Sequence, residues 1–259
     1  MTLREYLKSL ADKIRYVCGW GEDELINAQN FVIAIDDVYN AGYEAGQQSG
    51  GGSGDSVVWD MITNYGKRTD YTYAFSNWDI VDDSGNVTFE PPVDIVPVNA
   101  TWMLARIYGG VDLEAQFEKT GKKLDFSKCT NASSTFYSSS FTRIGVCDFS
   151  ITKNLSGTFN LCRQLVTIDE IKFDENTSYN FTNTFGSCQS LVNVIATGTL
   201  STSGLDLSAC PLTRASKLSF LNILVTTSTP KTITFGAGYS LTNEDVAEAT
   251  NEKGWTVIV

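Results

Sequence analysis

Leu124–Ile144 reads LDFSKCTNASSTFYSSSFTRI, and Cys147–Ile168 reads CDFSITKNLSGTFNLCRQLVTI. Sliding the first along until Phe136 falls on Phe159 superimposes Asp, Phe, Ser, Asn, Ser, Thr and Phe. A third copy puts Phe185 in the same place and runs through Asn180, Thr184, Phe185, Cys188, Leu191 and Val194. A fourth opens at Leu205-Asp206-Leu207-Ser208 and then changes character. A unit this short cannot bury its apolar face alone, so the period predicts a stack of repeats over 124–220.

Leu, Phe and Cys at fixed places give the stack a leucine-rich-repeat character, and the fold class expected is α+β. Phe136, Phe159 and Phe185 are expected in one buried column. Asn131, Asn154 and Asn180 share another position, where their side chains are expected to bond the backbone of the bends above and below. Leu165–Ile168 and Leu191–Val194 each read as a short strand or extended turn. Asp125, Asp148 and Asp206 recur once per repeat, which makes them structural, since an active site needs unique residues.

Outward from the repeats, the segment 1–48 predicts a helical module. Thr2 with Glu5 forms a capping-box signal. Leu3, Leu7, Leu10, Ile14 and Val17 then follow at heptad spacing, as do Ala28, Phe31, Ile35, Val38, Gly42 and Ala45. These seams suit either an antiparallel hairpin or self-association, and Leu3, Leu7, Leu10, Ile14, Phe31, Ile35 and Val38 are the expected oligomerisation residues. Ser49–Gly54 is a Gly/Ser linker, bounded at 49–55. Residues 56–123 are rich in aromatics and read as an N-terminal cap, with a short helix near 57–65 and another over 111–120. An aromatic carbohydrate platform is the competing reading of this segment. Residues 221–259 read as a C-terminal cap: a strand at Lys231–Phe235, a helix opened by Thr242 and Asp245 and ended by Gly254, and a strand from Trp255.

The chain has 259 residues, 42% of them hydrophobic, and a formal charge of −11. With a pI near 4.5 it disfavours nucleic acid and anionic lipid, which need Lys and Arg clusters. It contains no histidine, which removes His-dependent triads and HExxH zinc sites. Its six cysteines, Cys18, Cys129, Cys147, Cys162, Cys188 and Cys210, show no CxxC spacing. Cys162 and Cys188 share one repeat position, and the LDxSxC pattern puts Cys129 and Cys210 in another. They are read as reduced, core-filling thiols. No metal or cofactor is expected. The start of the chain has no signal-peptide pattern and no apolar run reaches membrane-spanning length, so synthesis in a cytoplasm is expected. A polysaccharide hydrolase using a carboxylate pair among Asp79, Asp82, Asp83, Glu90 and Asp94 is the enzymatic rival. The Asp82-Asp83-Ser84-Gly85 run reads first as a turn, and the expectation is a non-enzyme.

The stretch Asp148-Phe149-Ser150, Asn154-Leu155-Ser156-Gly157-Thr158-Phe159, Cys162 and Leu165 resembles the BspA-like leucine-rich repeats. Over its length the chain also resembles leucine-rich-repeat proteins encoded beside tail genes in phages and prophages of Gram-positive bacteria. The shared stretches are Asp12–Arg15, Ile26–Phe31, Gly66–Phe75, Leu124–Asn131 and Glu252–Trp255. The resemblance implies a virion tail or baseplate component whose partners are other tail proteins and a host-surface protein or glycan. It supplies no catalytic residues. By analogy with tail fibres, a homotrimer is the expected assembly.

Overall fold

The computed structural model describes residues 69–76, 87, 89, 91, 93–236 and 238–259. The expected N-terminal helices with their seven seam residues, the 49–55 linker, the helix near 57–65, and Cys18, Asp79, Asp82, Asp83 and Glu90 lie outside them. The chain divides into two units, Met1–Asn64 and Tyr65–Val259, and every element below belongs to the second.

Five successive coils lie side by side in parallel, joined by bridges from Asp70 to Asn99, Asn131, Asn154 and Asn180. The ladder therefore reaches further toward the N-terminus than 124. Residues 70–75 and 99–104 form two coils inside the segment read as a cap. Their backbone continues the same pattern: Phe75 N–H donates to Met103 O, Leu104 to Thr135 O, Phe136 to Thr158 O, and Phe159 to Thr184 O.

Each coil is turned by its Asx residue. Oδ1 of Asp70, Asn99, Asn131, Asn154 and Asn180 accepts from the N–H two residues on, at 2.9 to 3.2 Å. The side chain thus closes a bend in its own coil, an Asx turn. This corrects the expected coil-to-coil role. A bond between neighbouring Asx side chains is present from Asn180 to Asn154, at 3.3 Å. The carboxylates of Asp125, Asp148, Asp174 and Asp206 close a second set of bends in the same way.

Inside the coils, Phe136, Phe159 and Phe185 stack at 5.4 and 5.2 Å between centroids. All three are buried, as are Thr135, Thr158 and Thr184 beside them. A buried hydroxyl needs a partner; Thr135 and Thr158 donate to the carbonyl three residues back, at 2.8 and 2.7 Å.

After each bend the chain enters a parallel sheet of β1 (Arg143–Asp148), β2 (Thr167–Phe173) and β3 (Asn193–Gly198). β2 and β3 take in the second half of Leu165–Ile168 and of Leu191–Val194 and run on beyond them. Leu165 and Leu191 are buried anchors that turn the chain into the strand. Helix α1 (Leu113–Thr120), capped by Asp112, packs beside β1. Arg143 ties helix to sheet: its guanidinium holds Asp169 through two hydrogen bonds of 2.9 and 2.7 Å and lies 3.8 Å from Asp112.

The far edge of β3 is closed by α2 (Arg214–Asn222), a helix the sequence reading did not foresee. Val194 N–H donates to Ser216 Oγ and Ala196 N–H to Ser219 Oγ, both at 3.0 Å. Two serines thus satisfy backbone donors that an open edge would present to another chain. A second parallel sheet follows, ordered β4 (Leu205–Leu207), β5 (Lys231–Phe235), β6 (Trp255–Ile258). Between β5 and β6, Thr242 and Asp245 form the expected capping box of α3 (Asn243–Ala247), and a π-helical turn, Glu248–Glu252, continues it. Trp255 is buried and donates from its indole to Val225 O at 2.8 Å.

All five described cysteines are buried free thiols. Cys162 Sγ donates to Phe136 O at 2.9 Å and Cys188 Sγ to Phe159 O at 3.0 Å. Cys210 approaches Phe185 O in the same manner, so it continues the Cys162–Cys188 column rather than pairing with Cys129. The reason is a shortened last coil: Pro211 alone separates Cys210 from Leu212, where two residues separate Cys188 from Leu191, and Thr213 N–H takes Val192 O. Among the described residues no helix is long and apolar enough to cross a membrane.

Candidate functional site

Two backbone positions in the coils are left-handed. The first, three residues past each Asx, holds Tyr73, Trp102, Ser134, Gly157 and Asn183, with φ between 53° and 65°. The second, four residues later, holds Arg106, Ser138, Leu161 and Ser187. This conformation costs an ordinary L-residue about 1–2 kcal/mol. Gly and Asn relieve it. Tyr and Trp do not, so Tyr73 and Trp102 bear this backbone cost, as Arg106 and Leu161 do at the second position.

Those rings form a file on the outside of the first three coils. Tyr73 and Trp102 stack at 6.0 Å with planes 24° apart, and Trp102 meets Tyr137 at 4.8 Å with planes 49° apart. The guanidinium of Arg106 lies 5.4 Å from the Trp102 ring centre, in cation–π range. Tyr73 is 50% exposed, and Trp102 and Tyr137 are partly exposed. Mutual stacking fixes the rings in place.

A cavity of about 320 Å³ begins where the file ends, lined by Tyr108, Ser138, Ser140, Leu161, Arg163 and Gln164. Ser138 directly follows Tyr137, and Tyr108 lies two residues beyond Arg106. Backbone bonds fix the walls: Arg106 N–H donates to Tyr137 O, Ser138 to Asn160 O and Ser140 to Ile107 O, each near 2.8 Å. Ser139, behind them, is buried and donates to Phe136 O. Arg163 is exposed and makes no ion pair among the described residues.

Other charged groups are spoken for by the fold. Glu114 lies against Gly145, and its carboxyl titrates above the ordinary range, chiefly through burial and then through Asp169 and Glu118. This group belongs to the Arg143 junction. Lys217 is 1% exposed, donates to Gly236 O at 2.8 Å, and has its pKa lowered by burial. Of the carboxylates proposed for a hydrolase, Asp94 is described; it is exposed and accepts from Lys123 N–H. Among the described residues no group of three or more His, Cys, Asp or Glu side chains is placed to hold a metal.

The sequence reading placed the aromatics in a cap and missed the file. The signal was there: Asp70-Tyr71-Thr72-Tyr73-Ala74-Phe75 and Asn99-Ala100-Thr101-Trp102-Met103-Leu104 both match the Asx-x-[Ser/Thr] opening of Asn131-Ala132-Ser133-Ser134-Thr135-Phe136. No family model, curated protein or solved structure matches the chain.

Proposed function

We propose that the chain is a non-enzymatic recognition protein, a leucine-rich-repeat-like solenoid carried on the tail or baseplate of a phage. The observation that supports recognition is the partly exposed file of Tyr73, Trp102 and Tyr137, of which Tyr73 and Trp102 sit on left-handed backbone. Tyr, Trp and Arg are the residues that dominate binding surfaces, and parallel stacking displays them at regular intervals. The tail assignment rests on the sequence resemblance alone. The N-terminal seam residues Leu3, Leu7, Leu10, Ile14, Phe31, Ile35 and Val38 assemble the chain as a homotrimer and join it to other tail proteins. The solenoid faces a host-surface protein or glycan.

Mass spectrometry of purified particles tests the location, and light scattering on the full chain tests the trimer. Binding of the labelled full chain to host cells tests recognition. A chain present in particles that binds no cells is instead a structural subunit contacting only its neighbours in the virion. Absence from particles points to a role inside the infected cell.

A further inference from the structure

Where α1 meets the sheet, one guanidinium faces more carboxylates than it can hold. Arg143 binds Asp169 of β2 through two hydrogen bonds and lies 3.8 Å from Asp112 and 3.7 Å from Glu118. Glu114, in the first turn of α1, takes no hydrogen bond and forms no ion pair among the described residues. Its carboxyl packs on Gly145 of β1, in space that any side chain at 145 would occupy. The groups that face it come from each element around it: Asp112 and Glu118 at α1, Arg143 and the buried thiol of Cys147 on β1, and Asp169 on β2. Position gives the contact its importance. β1 is the outer strand of its sheet, and the chain enters α1 directly from the bridge between Asp112 and Arg143. Helix α1 thus stands at the β1 edge as α2 stands at the β3 edge.

We infer that Glu114 is a pH-sensitive latch between α1 and β1: protonated, it fastens the helix on the sheet edge, and ionised, it loosens it. The ionised carboxylate adds a further negative charge beside Asp112, Glu118 and Asp169, with Arg143 already engaged, and it can only accept hydrogen bonds. Protonation removes that charge and places an O–H donor among acceptors. Leu113 and Phe117, both buried, anchor the helix, so the change is in how firmly it is held. Burial first, then Asp169 and Glu118, raise the Glu114 carboxyl above its ordinary range, while Arg143 opposes them. A carboxyl raised in the folded state adds stability that is whole below its unfolded value, about 4.3, and is lost as pH rises through the folded value. The latch is therefore closed in acid and open above the Glu114 titration. It is independent of the aromatic file and of the tail assignment.

The test is amide exchange of the full chain, read by mass spectrometry between about pH 4 and pH 8 and corrected for the intrinsic pH dependence of exchange. Protection of α1 is expected to fall as pH rises, by at most about tenfold per pH unit, the limit for one linked proton. Protection of α2, which has no such junction, is expected to stay level. Glu114→Gln keeps the shape and removes the charge, so α1 should stay protected across the whole range. Glu118→Gln removes a neighbouring charge that raises Glu114, so the midpoint of the fall should move to lower pH. A role in packing alone would not move that midpoint. The inference is overturned by α1 protection that is level or rises with pH, by a Glu114→Gln variant that keeps the native slope, or by an unmoved midpoint in Glu118→Gln. A fall shared equally by α2 would overturn it as well, since the loosening would then be global.

Discussion

Phe136 and Phe159 lie 5.4 Å apart with ring planes within 5° of parallel, although they belong to different coils of the stack. Phe185 continues the stack from the other side at 5.2 Å. Phe159 therefore has an aromatic neighbour in both adjacent coils, and truncating it leaves a hole that neither can fill. Phe159→Ala is expected to lower unfolding stability by about 3–5 kcal/mol. Denaturant titration measures this, and a near-neutral result would show that the coils do not depend on the column.

How much of this was legible follows from what repeats. The offset between Phe136 and Phe159, the Asx positions and the Thr242–Asp245 cap could be read directly, because each is a local pattern. The two coils at Asp70 and Asn99 were hidden because the steps from Asp70 to Asn99 and from Asn99 to Asn131 are longer than those that follow, to Asn154 and Asn180. Helix α2 was hidden because Ala215, Leu218 and Leu221 read equally well as a repeat continuing. Cys210 was misplaced because the shortened last coil merges two motifs that are separate elsewhere. The file was the hardest to see. Nothing in a tyrosine or a tryptophan announces a left-handed backbone, and only the alignment of Tyr73 and Trp102 with Gly157 and Asn183 exposes it.

The thiols give a second prediction. Burial pushes Cys129 up to about 11 and Cys162 further, and Cys188 is raised first by its hydrogen bond with Cys210 and then by burial. The reactive species is the thiolate. Described cysteines should therefore resist a thiol reagent at neutral pH in the native state and react on denaturation. Cys18 lies outside the described residues, so the assay is run on Cys18→Ser. A disulfide found in the native chain, or rapid labelling, would contradict the core-filling role.

The serines at the edge of β3 give a third. Ser216→Ala and Ser219→Ala each leave one buried N–H without its acceptor, which costs about 1–3 kcal/mol. Amide exchange should quicken at Val194 in the first variant and at Ala196 in the second. Quickening spread evenly over the sheet in both variants would mean the helix acts by bulk coverage alone.

Acid provides a fourth. Burial alone would raise Asp125, but hydrogen bonds from Ser127 and Lys123 outweigh it and bring the carboxyl down to about 2. Asp148 is lowered in the same way, with Ser150 and Lys172 outweighing burial. A carboxylate depressed in the folded state adds stability above its unfolded value, about 3.9, and that stability is lost as pH falls through the folded value. Unfolding stability should thus decline between about pH 4 and pH 2. Asp125→Asn should make that decline shallower, and an unchanged slope would place the acid sensitivity elsewhere.

The left-handed column also bears on what the coils can carry. The backbone at Tyr73, Trp102, Ser134, Gly157 and Asn183 takes one shape under five different side chains. The coil geometry therefore tolerates different side chains there, at a backbone cost of about 1–2 kcal/mol for a residue other than Gly or Asn. Single substitutions along this outer rail leave the phenylalanine and threonine columns behind it in place.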